Sequence, residues 1–364
     1  AGRSALMRSL LLLLCLLVSP LALAQQIDPK VFMALEEARD VQQSGHPSAA
    51  ERLLAEVLKS TNSGSLEQAL VQQRLGYLAI AREDYPAAIR WLEQALAQGA
   101  LDANAVQQDR RNLAQLLVQQ GRYQQAVTVL AAESTHGMPL EMRQLLVQAY
   151  RELKDYRKAI PLAEQIVRAN PSADDLWYQL LAGMNYELRR YAQAVTWLQV
   201  LVRRAPADIE GWRQLASMQS MAGQQVEAAA TLRLAYEGGV GLAATDLNNM
   251  VALHAQAGAP WQAARLLEAL IDQALLPADQ QQRLRLAQLW QAARDRNRAL
   301  SAWRQLAQQS GDAGYWLQVA YLQYQQADWS ALQATLAQTR PANAEQRRQL
   351  QSLRNAAAAA QTNP

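Results

Sequence analysis

Apolar and small residues recur along this chain with the 3.6-residue period of an α-helix, and the helical stretches themselves recur. The segments Asp155-Tyr156-Arg157-Lys158-Ala159, Arg190-Tyr191-Ala192-Gln193-Ala194 and Pro260-Trp261-Gln262-Ala263-Ala264 each place an aromatic ring three residues before an alanine. Extending that register gives Ala50, Ala88, Ala126, Ala159, Ala194, Ala229, Ala264, Ala299 and Leu332, at gaps of 38, 38, 33, 35, 35, 35, 35 and 33 residues. Twelve residues before each lies a second series: Ala38, Gly76, Ala114, Val147, Ala182, Ser217, Ala252, Ala287 and Ala320. One small side chain on each of two antiparallel helices lets them approach closely. The register therefore predicts nine helical pairs over residues 28 to 340, with Ser217 at a helix contact. Turn residues such as Gly45, Gly121, Gly223 and Gly258 fall between the helices of a pair, and Pro171 and Pro206 follow second helices. The two 38-residue steps place longer loops at Thr61 to Ser65 and Gly99 to Asn104.

Leu75-Gly76, Tyr85, Ala88 and Ala95 occupy Leu-Gly, Tyr, Ala and Ala positions, and Tyr150, Tyr156, Ala159 and Pro171 repeat the pattern. In this the chain resembles the tetratricopeptide repeat. The early tryptophan of that pattern stands only near its place, as Trp177 and Trp212, and units one, six and eight lack the aromatic before the alanine. The resemblance implies an all-α fold: a right-handed superhelical solenoid with a concave and a convex side, because a single pair cannot bury its own apolar face. An array must also end. Arg347, Arg348, Gln349, Gln351 and Arg354 after Pro341 predict a polar capping helix over 341–355, and the Ala356 to Ala360 run with its sequel predicts a disordered tail over 356–364.

The start of the chain breaks the pattern. Arg3 and Arg8 precede the apolar run Leu10 to Val18, and Ala22-Leu23-Ala24 forms a small-x-small site, so residues 1–24 read as a cleaved secretory signal that leaves Gln25 first. The expected location is the periplasm, with no stable membrane insertion after cleavage. Cys15 lies inside that apolar run and lacks the small residue before it that a lipid-acylated cysteine needs. Without the leader, Lys plus Arg falls from 35 to 33 against 32 Asp plus Glu, leaving a net charge of +1. Such a balance argues against nucleic acid as a partner.

Composition offers little chemistry. Glycine and proline number only 16 and 12 in 364 residues, in keeping with a helical chain. His46, His136 and His254 are the only histidines, none lies four residues from another, and the one cysteine goes with the leader, so no metal or other cofactor is expected. His254 reads as a packed or hydrogen-bonded structural residue. Gly238-Gly239-Val240-Gly241 lacks the lysine and hydroxyl residue of a phosphate loop and reads as a connection between units six and seven.

Binding is the better prospect. In tetratricopeptide arrays the first helices line the concave groove, and the positions three before and one after each small residue face it. These are Gln73 and Tyr77, Arg111 and Gln115, Gln144 and Gln148, Gln179 and Gly183. They continue as Gln214 and Met218, Asn249 and Leu253, Leu284 and Gln288, Leu317 and Tyr321, with Tyr186 and Tyr324 as further flat anchors. Amide side chains carry both donors and an acceptor, so a ladder of them can pair with the backbone of an extended peptide. The chain has only four lysines, Lys30, Lys59, Lys154 and Lys158, which sets it apart from repeats that clamp a C-terminal carboxylate.

Four stretches point further: Arg74-Leu75-Gly76-Tyr77, Ala97-Gln98-Gly99-Ala100-Leu101, Gly211-Trp212-Arg213-Gln214-Leu215, and Leu234 to Val240 followed by Asp246-Leu247. They are similar to the periplasmic tetratricopeptide protein encoded beside TonB, ExbB and ExbD in some Gram-negative clusters. That resemblance implies a scaffold accessory to TonB-type uptake of iron-siderophore cargo, with TonB, ExbB or ExbD components as partners. An assembly factor for another envelope or secretion complex, using the same groove, is the alternative, and an enzyme with an unrecognised site is the third reading.

Overall fold

The computed structural model describes residues 27–131 and 138–362, and the described residues form nineteen helices and no strand. The leader and His136 lie outside them. The helices fall into two compact units, one through Ala173 and one from Asp174. In the first unit α1 (Pro29–Gln43) pairs with α2 (Pro47–Leu58), α3 (Leu66–Ala81) with α4 (Tyr85–Ala97), α5 (Ala103–Gln119) with α6 (Tyr123–Ala131), and α7 (Leu140–Glu152) with α8 (Tyr156–Ala169). In the second, α9 (Asp175–Glu187) pairs with α10 (Tyr191–Arg204), α11 (Ile209–Met221) with α12 (Gln225–Glu237), and α13 (Ala244–Gln256) with α14 (Pro260–Asp272). There α15 (Gln280–Ala292) also pairs with α16 (Arg296–Ser310) and α17 (Ala313–Gln325) with α18 (Trp329–Gln338), before α19 (Ala344–Thr362) closes the chain. Within each unit every second helix also packs on the first helix of the next pair.

The alanine register is the spine of this packing. Ala50, Ala88, Ala126, Ala159, Ala194, Ala264, Ala299 and Leu332 are fully inaccessible, and Ala229 is nearly so. Gly76 shows why size matters there: a Cβ on it would lie 3.0 Å from Cδ2 and Cγ of the fully buried Leu92 on α4. Ser217 departs from expectation. It is exposed, because α11 and α9 leave a cleft above it, and a buried hydroxyl would have needed a partner.

Each first helix ends in the same way. Three residues separate it from the second helix, and the middle one adopts the αL conformation, at Gly45, Glu83, Gly121, Lys154, Arg189, Gly223, Gly258, Arg294 and Ala327. The N–H one residue further on bonds back across five residues, from His46 to Val41 at 3.1 Å, Asp155 to Tyr150 at 2.8 Å and Asp328 to Gln323 at 3.0 Å. This satisfies carbonyls that the helix end leaves unpaired. The donor of that bond is also the N-cap of the following helix, and at Asp84, Asp295 and Asp328 its carboxylate caps that helix directly. One residue therefore finishes one helix and begins the next.

The C-terminal tail is a second correction. The Ala356 to Ala360 run continues α19, which extends to Thr362. Alanine has the highest helix propensity, and Ala357 is buried with Leu350 against Leu317, Ala320, Leu332 and Leu336 of the last pair. Arg354 donates to the carbonyl of Leu336 at 3.1 Å, meeting the open end of α18.

Candidate functional site

First-helix side chains behave differently in the two units. In the first, Gln73 and Tyr77 do not face an open groove. Both are buried on α3 and turn toward the fully inaccessible Asp109 of α5: Gln73 Nε2 donates to Oδ2 at 2.7 Å, and the Tyr77 hydroxyl donates to Oδ1. Asn112 Nδ2 reaches the Tyr77 oxygen at 3.4 Å. Burial pushes the Asp109 carboxyl above the usual carboxylate range, against the pull of these two donors, and burial beside Asp109 raises the Tyr77 phenol. The cluster is a polar staple between α3 and α5. Arg111 is partly exposed and pairs with Glu141 of α7 at 3.5 Å, while Gln115, Gln144 and Gln148 remain at least partly accessible.

In the second unit the predicted positions of α9 and α11 open onto a cleft of about 470 Å³ between these two helices. From α9 come Gln179, Ala182, Gly183 and Tyr186; Leu198 of α10 forms part of the floor. From α11 come Glu210, Arg213, Gln214, Ser217, Met218 and Met221. Small residues line the middle of the cleft, Ala182 and Gly183 on one side and Ser217 on the other, and leave the space open. A Cβ on Gly183 would meet nothing within 4 Å, so no neighbour requires glycine there. Tyr186 and Met221 stand at one end with 42% and 49% of their surface exposed.

The polar end is organised by charge. Arg213 spans from α11 to α13 and binds Asp246 with both arms, Nε to Oδ1 at 2.8 Å and Nη2 to Oδ2 at 2.7 Å. Asp246 is buried and also accepts the Ala243 N–H at 2.8 Å, capping α13. The Arg213 guanidinium holds the Asp246 carboxyl below its ordinary range, and the hydrogen bonds that Arg213 donates to Asp246 raise Arg213 in turn. Glu210 is less engaged: Gln214 Nε2 lies at 3.3 Å and Arg213 Nη1 at 3.5 Å.

Beyond the cleft, Asn249 and Gln288 are exposed, as is Tyr321. Tyr324 is half-buried in the closing cluster against Trp329 of α18, ring centroids 5.7 Å apart, so the packing of the last pair claims it. Leu253 and Leu317 are buried and contribute to packing. His254 Nδ1 lies 2.8 Å from the Met250 carbonyl on its own helix. Sequence reasoning missed Glu210, Arg213 and Met221 as lining residues. Met221 follows Tyr186 by 35 residues, the same step that separates Gln179 from Gln214 and Gly183 from Met218, so the register already contained it.

Among the described residues no three or more His, Cys, Asp or Glu side chains gather to hold a metal ion. No described helix is long and apolar enough to cross a membrane. No curated protein matches the sequence. Among solved structures, a tetratricopeptide repeat protein from Parabacteroides merdae is 14% identical over 66% of this chain and 93% of its own, at a TM-score of 0.36. MamA from Desulfovibrio magneticus RS-1 is 21% identical over 46% of this chain and 93% of its own, at 0.34. The family profile described as tetratricopeptide repeat matches residues 35–105 and 145–209, and these stretches of the chain are tetratricopeptide repeats.

Proposed function

We propose that this chain is a non-catalytic scaffold that holds an extended segment of a partner protein along its first helices, gripping it at the cleft between α9 and α11. The observation that carries this reading is that Gln179, Gly183, Gln214 and Met218, placed on the groove by register alone, line one cleft together with the expected anchor Tyr186. Its walls combine amide donors and acceptors with a tyrosine and two methionines, the mixture that suits a peptide backbone and its side chains. A photo-crosslinking residue placed at Gln179 or Gln214 should give protein adducts in the producing cell, and one at the exposed second-helix residue Ala192 should not. Adducts from Ala192 alone would refute the groove.

We further propose that the protein is exported behind residues 1–24 and serves a TonB-type uptake system in the periplasm. The support is the leader pattern and the four stretches similar to the TonB-cluster protein. Intact mass of the periplasmic protein should correspond to a chain beginning at Gln25, and adducts from the groove positions should contain TonB, ExbB or ExbD. Recovery only in membranes with residues 8–24 attached, or adducts with unrelated envelope proteins, would overturn the respective part.

A further inference from the structure

We infer that the α9–α11 cleft takes a basic side chain, arginine or lysine, from the bound segment, with an apolar neighbour of that residue covering Tyr186 and Met221. This deepens the groove reading and rests on it. Two charged side chains with different duties line the cleft. Arg213 binds Asp246, whose side chain is only 9% exposed, through Nε and Nη2, and its third nitrogen, Nη1, lies 3.5 Å from Glu210, so one guanidinium is shared between two carboxylates and the three side chains carry a net negative charge. What remains is Glu210, with 58% of its side chain exposed and only contacts of 3.3 and 3.5 Å to its neighbours. A carboxylate has about four acceptor positions, and this one has capacity left for a cation.

The rest of the cleft suits the stem of such a residue. Between Glu210 and Met221 the surface of α11 spans about 16 Å at 1.5 Å per residue. Its middle is the low ground of Ser217, Ala182 and Gly183, where an aliphatic stem can lie, and its far end is apolar. An acidic segment would place its carboxylate against Glu210 without a free cation to meet it, since Arg213 is already committed. Charge complementarity therefore selects a cationic head beside an apolar neighbour.

The test uses the full-length mature protein labelled with 13C at its methionine methyls. The probes are acetyl-Arg-Gly-Leu-amide and acetyl-Leu-Gly-Arg-amide, with citrulline replacing arginine in their neutral counterparts. At least one arginine peptide should shift the Met218 and Met221 methyls and bind about three- to fivefold more tightly than its citrulline form, the range of a partly exposed ion pair. Glu210→Gln should reduce the arginine peptide to the citrulline level, and Ser217→Leu, which fills the middle of the cleft, should abolish binding of both. Equal binding of the arginine and citrulline peptides, a preference that survives Glu210→Gln, or no methyl shift with any peptide would overturn the inference. Failure of the groove reading is distinguished by the crosslinking result at Gln179 and Gln214, which depends on no basic residue.

Discussion

Two first-helix glycines, Gly76 and Gly183, should respond to the same substitution with opposite signs. Replacing either by alanine removes the conformational cost of a helical glycine, a gain of about 0.5–1 kcal/mol. At Gly183 nothing opposes that gain, because the new methyl group meets no atom within 4 Å. At Gly76 the methyl would sit 3.0 Å from two carbons of Leu92 and 3.5 Å from Cβ of Trp91, where carbon atoms prefer about 3.5–4.0 Å. Leu92 is fully buried, so either its side chain shifts within the core or α3 and α4 part by a few tenths of an ångström. Overpacking of this kind costs about 1–3 kcal/mol. Gly76→Ala should therefore be less stable than Gly183→Ala by about 1–3 kcal/mol, since the helix-propensity gain is common to both and cancels. Long repeat arrays need not unfold in one step, so amide hydrogen exchange in α3 and α9 is the decisive assay, with urea unfolding as a companion. Gly183→Ala should also narrow the cleft and weaken partner binding while it strengthens the fold. If Gly76→Ala proved as stable as Gly183→Ala, the close approach of α3 and α4 would be wrong.

Three further outcomes follow from the packing and the buried charge. Ala194→Leu should cost about 1–3 kcal/mol in thermal or urea unfolding, whereas Ala192→Leu, on the exposed face of the same helix, should stay within about 0.5 kcal/mol; equal losses would refute the alanine register. Asp109 has a folded-state pKa raised by burial, so its contribution to stability is present below the ordinary carboxylate range and is lost as pH rises through the raised value; Asp109→Asn should remove that decline and unfold later than wild type at neutral pH, as pH-dependent urea midpoints would reveal. Gly258→Ala, at φ +74°, should lose about 1 kcal/mol in urea unfolding despite open space around its Cα, and no loss would mean that the αL turn after α13 is not held as described.

The pairs were legible in the sequence because their contacts demand small residues at fixed spacing: Ala159, Ala194 and Ala264 announce themselves against any background. The turns were legible only in part. Gly121 and Gly258 mark their αL positions, but Glu83, Lys154 and Arg189 adopt the same conformation with no residue signal, because the six-residue hydrogen-bonded cap imposes it. The staple of Gln73, Tyr77 and Asp109 was hidden for another reason. Its partners sit on successive first helices, 32 and 36 residues apart, and register says that such helices neighbour one another without saying which side chains reach across. Gln73 and Gln214 occupy equivalent positions, yet a buried carboxylate faces the first and an open cleft the second.

The link inside every pair is three residues long, from Ser44-Gly45-His46 to Gln326-Ala327-Asp328, while the connections between pairs within a unit vary, with seven residues from Lys59 to Ser65 and two at Gly311-Asp312. Since the last residue of each short link both closes one helix and caps the next, neither helix can be removed without leaving the other with a ragged end. A protease should therefore find its cuts between pairs, at stretches such as Lys59 to Ser65 and Gln273 to Asp279, and spare the tight links. Insertion and deletion in such a chain should likewise proceed by whole hairpins of about 35 residues, each carrying its own turn intact, so that a lineage can lengthen or shorten its binding surface without redesigning a single cap.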